Sequence, residues 1–67
     1  MSTRLTYPPA LLRHTEAAEY LGVSPRTLDS YQERGLLIAV DLDGMKRWRR
    51  DDLDEYARTR PDWEAKK

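Results

Sequence analysis

Apolar residues in this chain come in short sets whose spacing changes along the sequence, and each change of spacing predicts a new element. Ala17, Ala18 and Leu21 stand three and four residues apart, the interval that places side chains on one helical face. They predict a first helix from about His14 or Thr15 to Leu21, ended by Gly22. Thr15 is the better side-chain cap, and a start near Arg13 fits the same spacing. Leu28 and Tyr31 predict a second helix with Arg26, Thr27, Ser30 and Arg34 on its other side. Ser24 can accept a backbone N–H bond as cap, and Pro25 takes the first helical position, where no intrahelical N–H partner is needed. Gly35 closes the helix, because glycine adopts the left-handed conformation without steric penalty.

Beyond Leu36 and Leu37 the pattern becomes strand-like through Ile38, Ala39, Val40 and Leu42. Asp43-Gly44 follows, a two-residue turn of the kind that joins antiparallel strands, since both central positions of a type I′ turn need positive φ. Met45 to Arg49 form the returning strand, with Trp48 pointing inward. A third helix is expected from about Asp51 to Arg58, where Leu53, Tyr56 and Ala57 recur at helical spacing and the early acids suit a helix N-terminus. The fold class is therefore mainly α with a small β-hairpin, in the order helix, helix, two-stranded hairpin, helix. Residues 1–10, with Pro8 and Pro9, are expected to form a flexible N-terminal arm. Leu11 and Leu12 begin the folded domain, residues 11–58, and residues 59–67 form a tail in which Trp63 is the one candidate anchor.

Composition narrows the function classes. Sixty-seven residues make one domain, and a domain of this size buries only about 60% of the surface that its unfolded chain exposes. Without cysteine, no disulfide or thiolate metal site can supplement that core, and a reducing setting is the default. His14 is the single histidine, and the carboxylates gather at the start of a surface helix. No nucleophile and base pair, metal-ligand spacing or phosphate-cradling glycine loop results, so neither an enzyme nor a cofactor is expected. No apolar run approaches the ~20 residues of a membrane span, and no signal-like stretch follows Met1. The expected location is the cytoplasm. Twelve Lys+Arg balance twelve Asp+Glu, so the sum carries no hint of nucleic acid. The distribution does, because Lys46, Arg47, Arg49 and Arg50 crowd around Trp48, while Asp51, Asp52, Asp54 and Glu55 follow at once.

Two short helices joined through a glycine turn form a helix-turn-helix pattern, whose second helix is commonly the one laid in the DNA major groove. A following hairpin makes it a winged helix, with Lys46 and Arg47 just after the tip. The chain resembles the small excisionases of phages and mobile elements, within the MerR-like winged-helix group. The resemblance covers roughly residues 11–56. It is carried by Glu16-Ala17-Ala18-Glu19-Tyr20-Leu21-Gly22-Val23-Ser24, by Thr27-Leu28 with Tyr31 and Gly35-Leu36, and by Arg47-Trp48-Arg49 with Asp52-Leu53. It departs from MerR-type regulators at Asp29 and Ser30, where those proteins typically carry a backbone-contacting Arg and Tyr. Asp29 would repel phosphate, and is left either to accept from a cytosine amino group or to face solvent. Arg13 also replaces the family's hydroxyl cap. With nine residues beyond Arg58, the long dimerisation helix and effector site of a MerR regulator are not expected.

These readings give a set of DNA-contact candidates. On the second helix they are Ser24, Arg26, Thr27, Ser30 and Arg34; on the wing they are Lys46, Arg47 and Arg49. Residues near the start of such a helix reach base edges, and the free N–H groups of Ser24 to Thr27 face phosphate. Ser24 has a capping role that needs no DNA. Arg34 can instead complement the helix dipole. Arg49 and Arg50 can instead pair with the acids that follow. The resemblance implies an architectural protein that binds attachment-site double-stranded DNA side by side with copies of itself, bends it, and directs an integrase of the tyrosine-recombinase type toward excision. A small transcription regulator of the same fold, and a protein-interaction adaptor using the acidic helix and Trp63, are the alternatives.

Overall fold

Cap and turn chemistry accounts for most of the element boundaries in the computed structural model, which describes residues 9–63. A two-residue strand β1 (Leu11–Leu12) leads into α1 (His14–Leu21) and α2 (Pro25–Glu33), followed by β2 (Val40–Leu42), β3 (Met45–Arg49) and α3 (Arg50–Arg58). Ahead of α1, Arg13 is the extended cap residue but offers no side-chain acceptor. Glu16 compensates by reaching back, its Oε1 accepting the Arg13 N–H at 2.9 Å. Thr15, expected as the better cap, lies inside the helix instead. Gly22 ends α1, its N–H bonding to the Ala18 and Glu19 carbonyls while the Val23 N–H also reaches Ala18.

Ser24 caps α2 as expected, its Oγ accepting the Thr27 N–H at 3.1 Å, with Pro25 at the first helical position. At the other end Gly35 has φ +75°. The Leu36 N–H reaches back to the Tyr31 carbonyl at 2.9 Å and the Gly35 N–H to that of Gln32 at 3.0 Å. This Schellman pair satisfies carbonyls that the end of the helix would otherwise leave open.

The hairpin turns at Asp43-Gly44, both with positive φ, between the paired residues Leu42 and Met45. Asp41 Oδ1 accepts the Gly44 N–H at 2.6 Å and braces the turn. The strand-like stretch begins later than its composition suggests, at Val40, leaving Ile38 71% exposed. The expected two-stranded wing also gains a strand. Leu11 pairs with Arg49 and Leu12 with Trp48, so the antiparallel sheet runs β1-β3-β2 with β3 central. The Ala10 carbonyl accepts the Arg50 N–H at 2.9 Å, continuing that pairing to the first residue of α3. Of the expected N-terminal arm, residues 1–8 lie outside the described residues, as do residues 64–67 of the tail.

One core joins every layer. Leu12 from β1, Ala17 and Ala18 from α1, Leu28 from α2, Leu37, Trp48 from β3 and Leu53 from α3 are buried together. Burying a leucine-sized side chain contributes about 1.5–3 kcal/mol, so the three largest fully buried side chains, Trp48, Leu28 and Leu53, dominate the packing. Tyr56 packs against this cluster one turn after Leu53, whereas Ala57 is exposed, so the apolar stripe of α3 is narrower than its spacing suggests. Among the described residues no helix is long and apolar enough to cross a membrane.

Candidate nucleic-acid interface

The outward face of α2 follows from what its inward face buries. With Leu28 in the core and Tyr31 packed beside it, helical spacing turns Arg26, Ser30 and Glu33 away from the interior. Arg26 is exposed, while Thr27 and Ser30 are half-buried. Ser24 Oγ is occupied within the cap, since it also donates to Thr27 Oγ1 at 3.0 Å. Its role there is structural: it takes up the Thr27 N–H, and Pro25 has none to offer, while the Arg26 side chain stays exposed. Arg34 stands 6.0 Å from the centroid of the Tyr31 ring, at the outer limit of a cation–π contact. Glu33, not among the expected contacts, adds an exposed carboxylate to the same end of the helix.

Strand alternation divides the wing residues between the two faces of the sheet. Lys46 shares the face of Trp48, and its Nζ lies 5.4 Å from the indole centroid and 2.8 Å from Gln32 Oε1 of α2. Arg47 and Arg49 take the other face. The Arg47 guanidinium folds back along its own strand, donating to the Lys46 carbonyl at 2.9 Å and approaching Met45 Sδ at 3.5 Å. Arg49 Nη1 lies 3.7 Å from Asp52 Oδ2 at the start of α3. Of the three wing residues singled out in the sequence, Lys46 is thus brought to α2, while Arg47 and Arg49 are not.

A helix-turn-helix domain family model matches residues 11–61, more than half of the 67-residue chain. The chain belongs to the helix-turn-helix domain family. Such membership points to DNA, and the second helix of the pair, α2, is the one that carries Arg26 outward. No curated protein and no solved structure matches the chain.

Within this helix-turn-helix, His14 and Asp29 have a role that the sequence pattern did not reveal. His14 Nδ1 accepts from the Trp48 Nε1–H at 3.2 Å, and the two ring centroids are 5.9 Å apart. Its Nε2 lies 3.1 Å from the Pro25 carbonyl oxygen and 3.2 Å from Asp29 Oδ1. Asp29 therefore does not simply face solvent: its side chain is 54% exposed and approaches α1 through His14. No local signal marks these contacts, because His14 and Trp48 are 34 residues apart.

On the side of α1 away from Pro25, the Tyr20 hydroxyl donates to Asp54 Oδ1 at 2.6 Å and ties α1 to α3. That bond to a carboxylate holds the phenol above its ordinary pKa of 10.0, with burial and the negative charge of Asp54 acting in the same direction. Of the α3 acids, Asp54 bonds to Tyr20 of α1 and Asp52 lies near Arg49 of β3, while Glu55 pairs with Arg58 on the exposed surface of α3 itself.

Proposed function

We propose that this protein binds double-stranded DNA by setting α2 in the major groove with the β2–β3 wing beside it, and that it acts as an excisionase. The observation that carries the reading is the joining of the two elements. Lys46 of the wing bonds to Gln32 of α2, so an exposed Arg26 and a wing cation belong to one supported unit. Arg26, Thr27 and Ser30 are the base-edge candidates, and Lys46 is the principal wing contact to phosphate. Arg34 reaches backbone at the far end of α2, and Arg47 and Arg49 reach it only by leaving their present partners.

A module this small has few contacts with which to offset DNA deformation, which costs about 1–6 kcal/mol for a bend of 40–90°. Copies bound side by side share that cost. Segregated charge supports such packing, since basic residues gather on the wing and acidic ones on α3. Integrase is the protein partner in this reading, and the outcome of binding is recombination toward excision. The test is an integrase-dependent excision assay on attachment-site DNA with and without the protein. Excision that requires the protein supports the role; specific DNA binding with excision unchanged assigns the chain to transcriptional regulation instead.

A further inference from the structure

His14 belongs to the first turn of α1, yet its ring touches both halves of the proposed DNA interface. One nitrogen meets the Trp48 indole of β3, and the other meets the Pro25 carbonyl and Asp29 of α2. These neighbours dictate the tautomer. An indole N–H only donates, whereas a carbonyl oxygen and an ionised carboxylate only accept. Nδ1 must therefore be the acceptor and Nε2 must carry the proton, so the ring is neutral and its approach to Asp29 is not an ion pair. Because α1 packs against both α2 and β3, this side chain adds a polar tie from α1 to each of them.

We propose that His14 is a positioning residue of the DNA interface: neutral, it locks the start of α2 to the wing strand, and a proton on Nδ1 releases Trp48 and loosens the wing. The inference rests on the DNA-binding reading above. Protonation would turn the Nδ1 acceptor into a donor opposed to the indole N–H, which has no water to turn to because Trp48 is 1% exposed. The charged groups facing this cluster are Asp29 from α2 and, over the Trp48 ring, Lys46 from β3. Asp29 would attract a protonated ring, but its side chain is 54% exposed and solvent screens that gain. A buried donor left without an acceptor is the larger effect.

The test uses the full chain, its His14→Gln and His14→Ala variants, and one DNA duplex at constant salt. Binding is measured between about pH 8 and pH 5, the range in which histidine changes charge. Glutamine offers an acceptor oxygen and a donor NH2 group and takes up no proton in that range. His14→Gln should keep the wild-type affinity at the alkaline end, while His14→Ala, which removes the bonds to both Trp48 and Pro25, loses more than the roughly fivefold worth of a single hydrogen bond. On acidification the wild type should weaken by about fivefold relative to His14→Gln, and the Trp48 indole N–H resonance of the free protein should move in the wild type alone. Parallel pH profiles for wild type and His14→Gln, or an indole resonance indifferent to pH, would overturn the inference. Should His14→Ala fail to fold, the comparison of wild type with His14→Gln still decides it. A wild type that binds no duplex at any pH removes the DNA reading and this inference together; binding with parallel profiles removes this inference alone.

Discussion

Lys46 Nζ donates to Gln32 Oε1 at 2.8 Å, joining the central strand of the sheet to the last turn of α2. An ammonium has three donors, so this bond leaves the charge of Lys46 available to phosphate while holding it beside the helix. Lys46→Ala should weaken DNA binding and lower the slope of log affinity against log salt by about 1, the signature of one lost phosphate contact. Gln32→Ala, which removes no charge, should leave the slope unchanged. Arg49→Ala should also change it little, because that guanidinium lies 3.7 Å from Asp52. Fluorescence-anisotropy titrations over a salt series distinguish the three.

Trp48 is the largest fully buried side chain among the described residues and belongs to the one core cluster. Its replacement by alanine should cost about 3–5 kcal/mol, comparable to the whole stability of a small domain. Circular dichroism at 25 °C should show Trp48→Ala largely unfolded. Trp48→Phe keeps a ring in the core but has no N–H for His14, and urea titration should place it between the two.

Gly35 has φ +75°, and a Cβ added there would meet nothing within 4 Å. The penalty for Gly35→Ala is therefore backbone strain alone, about 1–2 kcal/mol. At about 4–8 °C per kcal/mol for a domain of this size, the thermal midpoint should fall by roughly 4–16 °C, with Gly35→Asn losing less because asparagine tolerates the left-handed region better.

Tyr20 titrates above its ordinary value because its hydroxyl is bonded to Asp54. Its folded pKa is raised, so the folded state holds that proton more tightly than the unfolded chain does. The stabilisation from the bond is complete below the unfolded value of 10.0 and is lost as pH rises through the higher folded value. Thermal melts at increasing alkaline pH should show wild type losing its advantage over Tyr20→Phe; an advantage that persists throughout would contradict the bond.

Elements governed by local chemistry were legible in the sequence. Ser24-Pro25 at the start of α2, Gly35 at its end and Asp43-Gly44 between β2 and β3 act within a few residues, and the structure places each where its chemistry predicts. Strand β1 was not legible, since two residues carry no periodicity and Leu11 and Leu12 become a strand only by pairing with β3. Local position likewise suggested Thr15 as a cap, whereas Glu16 supplies the bond by reaching backwards. Within the candidate site, the polar face of α2 followed from Leu28 and Tyr31. The separation of Lys46 from Arg47 depends on where Gln32 sits, and the contacts of His14 with Trp48 and Asp29 require the folded arrangement of three elements.

If α2 and the wing meet DNA as one face, α3 belongs to the scaffold behind it and stays clear of the duplex. Backbone amide NMR of the full chain titrated with a short duplex at low salt tests it most directly. The largest shift changes should fall on residues 24–34 and 45–47, Asp54 and Tyr20 should change little, and the changes should fade as salt rises. Shifts concentrated on α3 and Trp63, with α2 unmoved, would contradict it.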